Sequence, residues 1–308
     1  MPSARANGLT LEYESFGDPA HPAILLVMGL AAQMILWPEA FCEMLAAKGF
    51  RVVRFDNRDV GLSTSLDALG KPNVLKEYLK YALHLPMKAP YYIDDMARDT
   101  AALIDALALG RPHVVGCSMG GMIAQNLAAR HPEKVATLTS IMSTTGSRKL
   151  PGPTSRARRA LLMRPPKKGD HEAAVRALMH TLRSIGSASH PATEEYLRGL
   201  CERHVARGNN PEGAARQLVA IAASGDRTQV VATIKAPTLV LHGREDPLVR
   251  PECGAETARV IRDAGGDVRI VMIEGMGHDL GVTHLARLAD EIAAHCLANA
   301  AVAPKNNL

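Results

Sequence analysis

Short apolar runs alternate along the chain with segments of helical periodicity. Residues 23–27 (AILLV) and 113–117 (HVVGC) are nearly continuous apolar runs, the pattern of strands buried on both faces. Residues 9–17 (LTLEYESFG) alternate as a half-buried strand does, and they end at the turn signal Gly17-Asp18-Pro19. Further strands are predicted at 51–56, 134–143, 238–243 and 268–275. Helices are predicted near 38–48, 92–109, 119–130, 252–264 and 281–298. In the second of these, Met96, Thr100, Leu103, Ile104 and Leu107 share one face. Asp94 and Asp95 suit its N-terminal end, and Gly110 marks its stop.

Strands alternating with helices predict an α/β fold with a doubly wound, mostly parallel sheet. The rhythm breaks near Thr145. Residues 145–215 are rich in Pro, Arg and helix-like stretches, with no central strand. The strand rhythm then returns at residue 238. The expected organisation is a core of residues 1–144 and 216–308 with a helical cap, 145–215, inserted into it. The polar tail 303–308 is expected to fray.

Composition adds bounds. A chain of 308 residues, 47% hydrophobic and 22% charged, suits one large globular domain carrying an insertion. Aromatics make up only 4%, so Leu, Val, Ile, Ala and 13 Met supply the apolar bulk. Methionine fills cores and also lines pockets for varied apolar ligands. The net charge of +5 is mild. Much of it sits in 147–168, where Arg148, Lys149, Arg156, Arg158, Arg159, Arg164, Lys167 and Lys168 meet no acidic residue. Such a segment reads as a solvated loop, as a lid that attracts anions, or as a contact for an anionic membrane surface. It lacks interleaved aromatics and any nucleic-acid motif, so no nucleic-acid partner is expected. The five cysteines are widely spaced, with no C-x-x-C, which fits reduced thiols. No apolar signal core and no span of roughly 18 apolar residues occur, so a cytoplasmic protein without membrane insertion is expected. No metal-ligand spacing or Gly-rich phosphate loop appears, hence no metal and no cofactor.

The chemistry centres on Gly116-Cys117-Ser118-Met119-Gly120. This G-x-S-x-G falls between a strand and a helix, as a nucleophile elbow requires. Ser118 then needs a base, and the base an orienting acid. Of the twelve histidines, His278 lies on a Gly-flanked loop just after the last strand, where it would overhang the elbow. His284 and His295 fall in the final helix and are expected at the surface, and His242 is expected to be structural. Asp246 follows residues 238–243, at the carboxyl end of a strand, where open α/β sheets build their sites. Glu245 is the competing carboxylate. The order Ser118, Asp246, His278 is the order such triads follow in this architecture. Oxyanion donors are expected from the backbone N–H of Met119 and of Leu30, with Ala31 as the neighbour Leu30 must beat. Met28, Gln33 and Met122 are candidate pocket residues. Cys117 is expected to be buried, and Asp56, Arg58 and Asp59 to brace a loop.

The stretches VMGLAAQMILWP, VVRFDNRDVGLSTS, VVGCSMGGMIAQ, SGDRT and PTLVLHGREDPLV make the chain resemble serine esterases of the α/β-hydrolase superfamily. Within it they are similar to the branch of aclacinomycin methylesterase and related bacterial carboxylesterases. The resemblance covers roughly 20–145 and 216–298 and does not extend to the cap. Many relatives carry His-Gly where this chain has Met28-Gly29, which alters the local polarity and leaves the N–H donor. The resemblance implies the α/β-hydrolase fold and hydrolysis of a small-molecule carboxylic ester with an apolar acyl or alcohol group. The rivals are carbon–carbon bond hydrolysis and cofactor-free perhydrolysis on the same triad, and a non-catalytic ligand-binding homologue. Epoxide or haloalkane hydrolysis would need a carboxylate in place of Ser118.

Overall fold

The computed structural model describes residues 2–167 and 169–299. Lys168 and the tail 303–308 lie outside them. Eight strands form one sheet: β1 (Ser3–Ala6), β2 (Leu9–Phe16), β3 (Ala23–Val27), β4 (Arg51–Phe55), β5 (His113–Cys117), β6 (Leu138–Ile141), β7 (Thr238–Gly243) and β8 (Val268–Ile273). Their order is β1-β2-β4-β3-β5-β6-β7-β8. Only β2 runs antiparallel to its neighbours, β1 and β4, and every other pairing is parallel. This is the mostly parallel sheet that the apolar runs predict. Strand β6 is shorter than expected because Pro132–Lys134 wind into a 3-10 turn before it.

Six helices pack on or beside the sheet: α1 (Glu39–Ala47), α3 (Ile93–Ala106), α4 (Met119–Arg130), and, after the cap, α9 (Thr228–Val231), α10 (Pro251–Asp263) and α11 (Leu285–Asn299); α2 (Val74–Ala82) lies at the rim of the cleft. The two faces of β3 divide the core. Leu25 and Val27 pack with α3 and α4, whereas Ile24 and Leu26 pack with α1 and α11. Two histidines depart from expectation. His284, which ends a 3-10 turn just before α11 instead of lying in that helix, and His295, on α11, are both buried, because this end of the chain lies against the sheet and their Nε2 atoms reach the carbonyls of Gly275 (3.3 Å) and Pro237 (3.2 Å).

Between β6 and β7 the chain forms α5 (Ser155–Leu161), α6 (His171–Ile185), α7 (Glu194–Arg207) and α8 (Pro211–Ser224). Each starts at a side-chain cap: Thr154, Asp170, Thr193 and Asn210 accept the N–H three residues on. Helices α6 and α7 share a small core of Val175, Met179, Leu197, Cys201 and Val205. The chain passes residue 215, the expected end of the insertion, in the middle of α8. That helix begins beside the cap and ends in the main core, where Ala220 packs with the α3–α4 layer. There the Ser224 hydroxyl accepts the N–H of Ile93 at the start of α3 (3.0 Å).

Candidate active site

Ser118 stands between β5 and α4 with φ +56° and ψ −120°, a conformation that non-glycine residues seldom adopt. The turn closes only because its flanks lack side chains. A Cβ at Gly116 would run into the carbonyl of Gly120, and one at Gly120 into the carbonyl of Val27. The strained turn lifts the hydroxyl off the sheet.

His278 completes the approach from the loop after β8. Its Nε2 lies 2.9 Å from Ser118 Oγ, and its Nδ1 lies 2.7 Å from Asp246 Oδ2. The other Asp246 oxygen accepts the N–H groups of Leu248 and Val249, both at 2.9 Å. Burial alone would raise this carboxyl. The charge on His278, and the ring of His242 at 3.5 Å from Oδ2, outweigh burial and hold the pKa down to about 2. Glu245 instead holds the cap: it accepts the backbone N–H of Ser189 at 2.9 Å and the Ser189 hydroxyl. His242 is fully buried, with Nε2 2.8 Å from the Val249 carbonyl.

The cap buttresses the histidine loop. The N–H of His278 donates to the Ile185 carbonyl (2.8 Å) at the end of α6. Gly277 N–H donates to the Ser187 hydroxyl (2.9 Å), which in turn donates to Asp279 Oδ1 (2.6 Å). Motif reading missed Ser187 because it stands 90 residues from its partner Gly277.

Close to Ser118, the N–H groups of Met119 and Leu30 have no protein acceptor among the described residues. Met119 is the first residue of α4, so its N–H has no intrahelical acceptor. Leu30 lies on the loop after β3. Its rival Ala31 is spoken for, because the Ala31 N–H donates to the Gln217 side chain at 2.8 Å. The loop 56–59 braces this region as expected. Asp56 accepts from Met34 N–H (2.7 Å), Asn57 donates to the Met28 carbonyl (2.9 Å), and Asp59 pairs with Arg216 (2.7 Å).

Above Ser118 opens a cleft of about 2050 Å³. Met28, Leu30, Met142, Leu182, Ile185 and Leu248 make its floor and walls apolar. Two candidate pocket residues fall elsewhere. Gln33 turns away from the cleft: its amide donates to the carbonyls of His204 (2.8 Å) and Gly208 (2.7 Å), joining the cap to the core. Met122 sits one turn along α4 and is packed into the layer with α3. Cys117 is buried, and burial, with the charges of Asp246 and Asp279 adding to it, pushes its thiol up, which keeps it protonated and inert. All five cysteines are unpaired and buried. Among the described residues no cluster of His, Cys, Asp or Glu could hold a metal. Among them, too, no helix is long and apolar enough to cross a membrane.

A serine at a strand–helix elbow, with an aspartate and a histidine after later strands of the same parallel sheet, is the arrangement of hydrolases of the α/β class. The chain belongs to the α/β-hydrolase-fold family, whose model matches residues 22–285. It is 29% identical over 310 residues to rhodomycin D methylesterase DauP of Streptomyces sp. strain C5, covering 93% of this chain and 95% of that one. It is 27% identical to 2-hydroxy-6-oxononadienedioate/2-hydroxy-6-oxononatrienedioate hydrolase of Burkholderia vietnamiensis, covering 80% and 78%. The enol-lactonase of Burkholderia xenovorans LB400 superposes with a TM-score of 0.72 at 24% identity, covering 96% of this chain and 100% of that one. The resemblance to the methylesterase branch read from the motifs is thus met by a relative of nearly full length.

Proposed function

We propose that the protein is a carboxylic ester hydrolase that works through an acyl-enzyme on Ser118. The observation that carries this reading is the unbroken line Ser118 Oγ–His278–Asp246, with contacts of 2.9 and 2.7 Å. His278 Nε2 takes the hydroxyl proton as Ser118 Oγ bonds to the ester carbonyl carbon. The carbonyl electron pair moves to oxygen, where the N–H groups of Leu30 and Met119 receive it. Asp246 keeps the imidazole in the tautomer that accepts at Nε2 and stabilises the imidazolium. The intermediate collapses, the alkoxide leaves with the proton from His278, and Ser118 is acylated. Water, deprotonated by His278, repeats the sequence and releases the acid. The chemistry uses no cofactor and no metal.

A cleft of this size exceeds the roughly 300–1,000 Å³ of typical small-ligand sites, and its lining is mainly apolar, with Arg156, Arg164, Lys167 and Arg183 contributed by the cap. The substrate class is therefore an ester with a bulky apolar acyl or alcohol group. The methylesterase relative supports an alcohol as small as methanol on a large acid. The decisive experiment is a p-nitrophenyl and methyl ester series with the Ser118→Ala variant as control. Turnover that survives in Ser118→Ala, or no turnover of any ester by the wild type, sinks the proposal. Carbon–carbon bond hydrolysis is the second reading, favoured by the hydrolase relative of Burkholderia vietnamiensis. Preferential turnover of a vinylogous 1,5-diketone over every ester would establish it instead.

A further inference from the structure

We infer that Gln217 is a positioning residue for the oxyanion loop, so that a helix descending from the cap sets how well the tetrahedral intermediate is held. The inference rests on the esterase reading above.

Gln217 is fully buried on α8, and both ends of its amide are engaged. Its Oε1 accepts the N–H of Ala31 at 2.8 Å, and its Nε2 donates to the carbonyl of Arg58 at 2.8 Å. The far partner is rigid. The Arg58 guanidinium grips Asp99 on α3 through two contacts of 2.6 and 2.7 Å. Next to Gln217, Arg216 grips Asp59 through two contacts of 2.9 and 2.7 Å. Helix α8 is thus clamped to the 58–59 loop, and Gln217 extends that clamp to Ala31.

Ala31 has φ +55°, in the left-handed region that an alanine adopts only at a steric cost. Such a conformation persists where its surroundings over-determine it. Gln217 supplies that constraint directly after Leu30. On the other side, Asn57 fixes the Met28 carbonyl at 2.9 Å. The peptide between these anchors joins Gly29 to Leu30. Its carbonyl accepts the N–H of Ala32 at 3.3 Å. In a trans peptide the N–H points opposite to the carbonyl. The N–H of Leu30 is therefore directed away from that turn, on the loop whose Gly29 already approaches Ser118: a Cβ there would lie 3.1 Å from the serine Cβ. Without Gln217, Ala31 is free to relax to negative φ; that turns the Leu30–Ala31 peptide, and the Gly29–Leu30 peptide that carries the Leu30 N–H shifts as the loop adjusts.

The test is Gln217→Met, which keeps the volume and removes both hydrogen bonds, beside Gln217→Glu, which keeps the acceptor for Ala31. With p-nitrophenyl butyrate, Gln217→Met is expected to lose about 10- to 100-fold in kcat, as a misplaced oxyanion donor does, with KM changed less than about threefold. The inhibition constant of a phenylboronic acid, which forms a tetrahedral adduct on Ser118, should rise in parallel with the loss in kcat/KM. Gln217→Glu should recover to within about tenfold of the wild type. A kcat for Gln217→Met within about twofold of wild type, or a fall in kcat with unchanged boronate affinity, overturns the inference. If Gln217→Met does not fold, amide NMR of the wild type decides. The Ala31 N–H should be protected from exchange, and the Leu30 N–H should shift when the boronic acid binds. A fast-exchanging Ala31 or an unmoved Leu30 overturns the inference. Labelling of wild-type Ser118 by a fluorophosphonate tests the esterase reading separately from these comparisons.

Discussion

The carbonyl of Ile185 accepts the backbone N–H of His278 at 2.8 Å, so the last residue of a cap helix holds the histidine that faces Ser118. Removing the neighbouring support should therefore act on turnover. Ser187 is buried and bridges Gly277 and Asp279. Ser187→Ala is expected to lower kcat about tenfold at nearly unchanged KM, in keeping with a histidine loop that drifts by a fraction of an ångström. Its stability cost should be about 1–2 kcal/mol, read by urea unfolding.

Asp246→Asn should keep the fold and lower kcat by about 10⁴-fold, because an amide leaves the imidazole in the wrong tautomer. The pH dependence of stability follows from the sign of the shift. The carboxyl is held down to about 2 in the folded protein, below its ordinary value. Its stabilisation is complete above the unfolded value near 4 and is lost as the pH falls through about 2. Tm measured from pH 5 to pH 2 should fall less steeply in Asp246→Asn than in the wild type.

Two other histidines act at milder pH. Burial, then the charge of His295, holds His113 down to about 4, and burial, then Arg207, does the same to His204. In the unfolded chain both protonate near 6.5. The unfolded state thus binds more protons between about 6.5 and 4, and stability falls as the pH drops through that window. Each group contributes up to about 1.4 kcal/mol per pH unit there. His113→Gln should reduce the slope of unfolding free energy against pH by close to one proton's worth.

Gly120→Ala places a methyl group against the carbonyls of Val27 and Met28. The central strand β3 has no room to yield, since both its neighbours pair with it in parallel register. A loss of about 3 kcal/mol or more is expected, visible as a lowered urea midpoint or as insoluble protein.

The proposed triad was legible because each member follows an apolar run whose limits the pattern defines. Ser118, Asp246 and His278 come one, three and five residues after β5, β7 and β8. Gln33 shows where such reading stops. Its place on the loop after β3 points to the cleft, yet its partners His204 and Gly208 are 171 and 175 residues away, and no local pattern announces them. Gln217 was hidden for the same reason. Strand β1 had a local signal, the turn pair Asn7-Gly8, whose positive φ values of 48° and 78° close the β1–β2 hairpin. The chain before it is too short and polar to read as a strand. Helix α2 does carry an apolar face, with Val74, Leu75, Tyr78, Leu79 and Ala82 at helical spacing behind the Asn73 cap, and the strand–helix rhythm passed over it; none of its residues is buried.

The cap divides into two kinds of material. The end of α6 and the buried face of α8 hold backbone atoms of the proposed histidine and oxyanion loops, whereas the connection from Leu162 to Lys167 lines the cleft and bonds to none of them. Substitution in the first part is a change to the engine, and in the second a change to the aperture. A library restricted to residues 162–167 would then alter which esters enter while the rate for the smallest ester stays constant, which makes this stretch the place to retune the enzyme and the route by which kin could diverge in substrate without rebuilding their chemistry.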